Sequence, residues 1–182
     1  MNIHQTYDYL MRARRDLWAA LEAVPNEVLI KPLLKGGRFH CIKDLVYHIP
    51  MVEDGWIHCT VLGDEPVLDS FSSLKDIGDS PDCSSLELDG LLAYWRAVEQ
   101  STLTYLAALT DADLARVVQD SPTESFALDG VLWHVMIHEI RHTAQIAVLL
   151  RMQDIKSPSL DYCFTHRTST RKASDESQLK PR

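Results

Sequence analysis

Residues 134–142 read HVMIHEIRH, with His134, His138 and His142 spaced four apart. On an α-helix, residues four apart stand one above the other, so the three imidazoles form one stripe. The surrounding run, from about residue 128 to 152, is apolar at helical spacing, with Asp129 in its first turn where negative charge suits the helix dipole. Two imidazoles one turn apart can hold a single ion. His138 with His142 fits this, and so does His134 with His138. The outer pair is about 12 Å apart along the axis, from rises of about 1.5 Å, so all three cannot share one ion. Buried imidazoles each need a polar partner, and charged neighbours repel; a shared divalent ion resolves both.

The same stretch spells H-E-x-x-H, the zinc motif of many metalloproteases. A protease needs a third ligand downstream, but HEIRH is followed by TAQIAVLLRMQ, with neither glycine nor histidine. Glu176 is the only downstream glutamate, and His166 borders a polar tail. The protease reading is therefore disfavoured. Glu139 lies about 100° around the helix from His138, aimed at a neighbouring helix or at solvent. Upstream, His48 in DLVYHIPMVEDGW is a better third ligand. Asp44, one turn earlier, either holds that ring or faces water near the helix start. Three histidines from two helices leave a coordination position open, as in catalytic rather than structural sites. Cys59 shares the face of His48 but lies about 16 Å along it, and reads as a small buried apolar residue.

Outward from this stretch, three more helices are predicted. The first covers about 3–24, with Tyr7, Leu10, Met11, Leu17, Trp18, Leu21 and Val24 inward and Arg14 contributing its stem only. The second covers about 41–62 and stops at Gly63; its inward stripe is Leu45, His48, Val52, Trp56 and Cys59, and Pro50 should kink or break it. The third opens at Ser84 or Ser85 with Glu87 as a capping box and runs to 109. Each helix carries one tryptophan, Trp18, Trp56, Trp95 and Trp133, suited to core and interface. Four helices of about 20 residues, each spanning roughly 30 Å, make a four-helix bundle, an all-α fold. LARVVQD and ESFAL around SPT suggest a short hairpin. SLDYCF is apolar enough to pack on the body, giving one domain over 1–166, and 167–182 reads as a disordered polar tail.

Composition agrees with a single soluble domain: 182 residues, 46% hydrophobic and 24% charged. The net charge is −8, and the tail from 167 holds five basic and two acidic residues, so the body is more acidic still. An acidic body disfavours nucleic acid and anionic membranes as partners. There is no apolar run of transmembrane length, and the first residues, MNIHQTYDYLMRARRD, lack the apolar core of a secretory signal. Cys41, Cys59, Cys83 and Cys163 are widely spaced without C-x-x-C, which predicts reduced thiols and a cytoplasmic location.

Two stretches resemble the DinB family, the DinB/YfiT-like metalloenzymes. DLVYHIPMVEDGW is similar to the family's D-L-x-x-H-I-x-x-x-E-x-x-W segment at Asp44, Leu45, His48, Ile49, Glu53 and Trp56. HVMIHEIRHTAQIAVLLR is similar to its H-x-x-x-H-x-x-x-H-R-G-Q helix at His134, His138, His142 and Gln145, with Thr143 and Ala144 replacing the usual Arg and Gly. SLDYCF resembles its C-terminal packing segment, so the likeness runs to about residue 166. The resemblance implies an up-down-down-up bundle, often dimeric, with zinc or nickel on His48, His138 and His142. It implies His134 and Trp56 in the pocket, Asp44 and Gln145 supporting the ligands, and Glu53 or His134 as candidates to move a proton. It also implies a small-molecule substrate, with a low-molecular-weight thiol transferred to a small electrophile. The alternative is a non-catalytic metal or small-molecule binding protein of a stress response.

Overall fold

A computed structural model describes residues 2–33, 35, 38–78 and 81–165; the expected disordered tail, 167–182, and His166 lie outside the described residues. Helix α1, Ile3–Glu22, opens on a capping box in which Asn2 accepts from the Gln5 amide while the Gln5 side chain accepts from the Asn2 amide. A single turn, α2, covers Asn26–Leu29. Helix α3, Ile42–Asp54, continues into a π-helical segment, Gly55–Leu62. Helix α4 is Leu88–Ala108. Strands β1, Val117–Ser121, and β2, Glu124–Ala127, pair antiparallel with a register shift between Gln119 and Ser121, so the suggested hairpin is present. Helix α5, Leu128–Arg151, follows directly, and a last turn, α6, is Tyr162–Thr165.

Two apolar clusters fix the helix directions. At one end, Leu17 and Leu21 of α1 meet Ile42 and Leu45 of α3, Leu91 and Trp95 of α4, and Ile146 and Leu150 of α5. At the other, Ile3, Tyr7 and Leu10 meet Ile57, Leu106, Val131 and Leu132. The start of α1 thus lies beside the ends of the second and third long helices and the start of the fourth, an up-down-down-up arrangement. Helix α1 packs on α4 and α5, and α3 packs on α4 and α5, so the long helices form a ring. Each fully buried leucine in these clusters contributes about 1.5–3 kcal/mol relative to exposure. Trp18 and Trp95 are buried and meet edge-to-face at 5.6 Å. The SLDYCF segment packs on α1, where the Tyr9 hydroxyl donates to the Leu160 carbonyl at 2.5 Å.

Four local expectations are corrected. Pro50 does not break α3: helix runs through it with the ring buried, and the winding changes only at Gly55. The wider π turn then carries Cys59 off the face of His48, and its thiol is exposed rather than buried. No capping box opens α4: Glu87 caps without a side-chain bond, and Ser84 bonds Asp82 instead. Arg14 does not lie by its stem alone with its head in water; its whole side chain is buried.

Candidate metal centre

The sequence places His48 on the apolar face of α3, and His138 and His142 one turn apart on α5. Because α3 and α5 are ring neighbours, the bundle brings these faces together. The three rings are buried, and one donor nitrogen from each lies within 4.8 Å of the others. His48 Nε2 and His138 Nε2 are 3.0 Å apart, and ring centroids are 4.8 Å for His48–His138, 5.0 Å for His48–His142 and 4.4 Å for His138–His142. Two nitrogens on one tetrahedral zinc, at about 2.0–2.1 Å each, stand roughly 3.3 Å apart. The cluster is therefore within a small ring movement of a three-nitrogen site.

The chemistry of the donors fits an ion. Burial, then the neighbouring His142 ring and the Arg38 and Arg141 guanidiniums, push His48 down to about 4. Burial, then the other histidines and Arg141, push His138 down to about 3. His142 is also lowered by burial, partly offset by its contact with Gln145. All three rings are thus neutral near pH 7, the form that ligates. Gln145 Oε1 stands 2.6 Å from His142 Nδ1. That contact puts the proton on Nδ1 and leaves Nε2 as the free donor. Phe39, three residues before α3, lays an apolar ring against the cluster, 4.4 Å from the His48 ring and 5.8 Å from that of His142.

Other expected residues stand elsewhere. Asp44 does not hold His48: its oxygens accept from the His40, Cys41 and Cys83 amides at 2.8, 3.1 and 2.9 Å, which ties the start of α3 to the loop before α4. His48 Nδ1 is buried without a hydrogen-bond partner. Glu53 is not poised to move a proton at the cluster, since it bonds Arg14 at 2.7 Å and accepts from the Tyr7 hydroxyl at 2.5 Å. Glu139 points to a neighbouring helix, where Arg14 grips both its oxygens at 2.7 and 2.5 Å. His134 is exposed, 6.0 Å from the His138 ring and 5.4 Å from Trp56. Trp56 also lines a groove of about 560 Å³ with Met51, Asp54, Tyr94 and Asp120, which none of the three clustered histidines lines.

Sequence reasoning missed a second buried histidine contact, His58. Its Nε2 is 2.6 Å from Ser101 Oγ, and its Nδ1 is 2.7 Å from Asp54 Oδ1. The order matches a serine nucleophile, base and acid. The Asp54 contact lies off the ring N–H direction, since Nδ1 makes no directed hydrogen bond. Ser101 sits mid-way along α4, where neighbouring amides are spent in the helix ladder and none is free to stabilise an oxyanion. Burial raises the Asp54 carboxyl, but His58, the Leu68 and Val67 amides and the Tyr94 hydroxyl outweigh it and lower its pKa. The trio is a tether that joins the π segment to α4 and, through Asp54, to the start of the 3-10 turn Val67–Ser70.

The model of the DinB family matches residues 1–176. No curated protein matches the chain. Among solved structures it is similar to a DinB-like protein from Bacillus cereus, with 16% identity and a TM-score of 0.51, over 82% of this chain and 91% of that one. At that identity the likeness concerns the fold. Among the described residues, no helix is long and apolar enough to cross a membrane.

Proposed function

Since the chain belongs to the DinB family, we propose that it holds one divalent ion, zinc or nickel, on His48, His138 and His142. We further propose that it uses the ion to transfer a low-molecular-weight thiol to a small electrophile: the sulfur bonds the electrophilic carbon, the leaving group (halide, for an aryl halide) departs with its bonding pair, and the thiol proton passes to solvent. The observation that carries this reading is the convergence of three buried, neutral imidazoles from two helices on one point. Three protein nitrogens leave coordination open to a small molecule. A bound divalent ion supplies Lewis acidity, which lowers the pKa of a thiol there and makes it a better nucleophile.

The chain's own residues orient and enclose. Gln145 fixes the His142 tautomer, Phe39 packs against the His48 ring, and neutral rings keep their lone pairs for ligation at physiological pH. His134 is the remaining candidate to relay a proton, from the exposed end of the stripe. Glu53 and Glu139 are both committed to Arg14. That commitment favours the second reading, a metal-binding protein without turnover, because it removes two carboxylates from service as a base. We also propose a homodimer through the outer face of α5, where Ile137, Val148 and Met152 are 57%, 50% and 63% exposed.

The two readings separate in one assay. Protein stripped of metal should lose conjugation of small thiols to an electrophile such as an aryl halide, and regain it with zinc or nickel. Metal-loaded protein that binds one ion but conjugates none of a panel of thiols would leave the binding reading standing alone.

A further inference from the structure

Arg14 is an arginine in the core of the bundle, and its donors all have acceptors. Nε and Nη2 grip Glu139 of α5, Nη2 also reaches Glu53 of α3, and Nη1 reaches Glu99 of α4 at 3.1 Å and the Tyr7 hydroxyl at 3.1 Å. Its guanidinium lies 5.0 Å from the Tyr7 ring and 5.8 Å from that of Trp95. Arg14 and the three carboxylates are almost wholly buried. One α1 side chain thus binds every other long helix at a single level.

The clamped residues are placed with respect to the histidines. Glu139 follows His138 directly and precedes His142 by three; Glu53 lies five beyond His48. A fork that holds both oxygens of Glu139 sets the rotation of α5 about its own axis. Side-chain tips stand about 5–6 Å from a helix axis, so a rotation of about 20° would shift a ring nitrogen by about 2 Å. Ligand distances tolerate only about 0.2 Å. Replacing a buried ion cluster by apolar packing of the same volume is often neutral or stabilising, so net stability alone does not account for this one.

We infer that Arg14 is a positioning residue for the three-histidine centre: by clamping Glu139 and Glu53 it fixes the rotations of α5 and α3 that bring His138, His142 and His48 together. This inference rests on the metal reading of that cluster. It also assigns a role to the glutamate of HEIRH, which here faces α1 and orients its helix rather than serving as a base.

The test is cobalt(II) titration of untagged full-length protein, read by ligand-field absorption and by zinc competition, with the urea midpoint of metal-free protein measured beside it. Glu99→Gln is the control, because it weakens the same arginine through α4, which carries none of the three histidines. Arg14→Lys, Glu53→Gln and Glu139→Gln should lower cobalt affinity by about tenfold or more and alter the absorption band. Glu99→Gln should lower the urea midpoint and leave affinity within about twofold. The inference is overturned if Glu99→Gln weakens cobalt binding as much as Glu139→Gln, or if the folded variants bind with wild-type affinity and spectrum. Should Arg14→Lys not fold, the two glutamine variants decide alone. Wild-type protein that takes up no cobalt overturns the metal reading and this inference with it; wild-type binding with unaltered variants overturns this inference only.

Discussion

At the scale of single residues, the three histidines are held in the uncharged state by their surroundings, and this makes stability depend on pH. In the unfolded chain each ring takes up a proton near its ordinary value of about 6.5. In the folded protein His48 must fall to about 4 and His138 to about 3 before they do so, with burial as the main cause. The unfolded state therefore binds protons first as the solution is acidified, and stability falls with it. Urea midpoints of metal-free protein should be flat above about pH 6.5 and drop steadily between pH 6.5 and pH 4; midpoints that rise over that window would contradict the neutral-ring geometry. The spacing of His138 and His142 was legible in the sequence because one helix repeat governs it. The partner of Glu139 was not, because Arg14 stands 125 positions away and its guanidinium reads as a surface charge until the helices are assembled. Asp44 misled for a related reason: an aspartate at a helix start has near amides to bind, and these outcompete a ring one turn on.

Among the elements, α3 is the least regular and the most consequential. It carries His48, passes through Pro50, and widens into a π segment that closes at Gly63 with φ of +74°. The Gly63 amide donates to the His58 carbonyl, and this left-handed closure favours glycine over any residue with a Cβ. Gly63→Ala meets no atom within 4 Å, so its effect is conformational alone. It should lower stability by about 1 kcal/mol, read from urea unfolding. A loss below a few tenths would mean that the segment relaxes. The extent of the second helix, 41–62, and its stop were legible from apolar spacing and Gly63. The π winding was not, since it leaves the apolar composition unchanged and only redirects side chains such as that of Cys59. The α4 start was misplaced because Ser84 found Asp82 closer than the helix amides.

For the whole molecule, amphipathic spacing specified a bundle of four long helices, and the family resemblance supplied the chain direction that the two apolar clusters display. Neither periodicity nor resemblance revealed the charged layer between those clusters, where Arg14 meets carboxylates of α3, α4 and α5. Removing the arginine strands those carboxylates in a low dielectric. Arg14→Met should therefore destabilise the metal-free fold by about 3–5 kcal/mol in chemical unfolding; a change under about 1 kcal/mol would show that water reaches the layer. The central claim, that α3 and α5 assemble one divalent centre, is tested most directly by elemental analysis. Untagged wild-type and His48→Ala protein would be dialysed side by side against buffered zinc. One zinc per chain, lost in His48→Ala, is the expected result. Wild-type protein without zinc, or His48→Ala that retains a full equivalent, would contradict it.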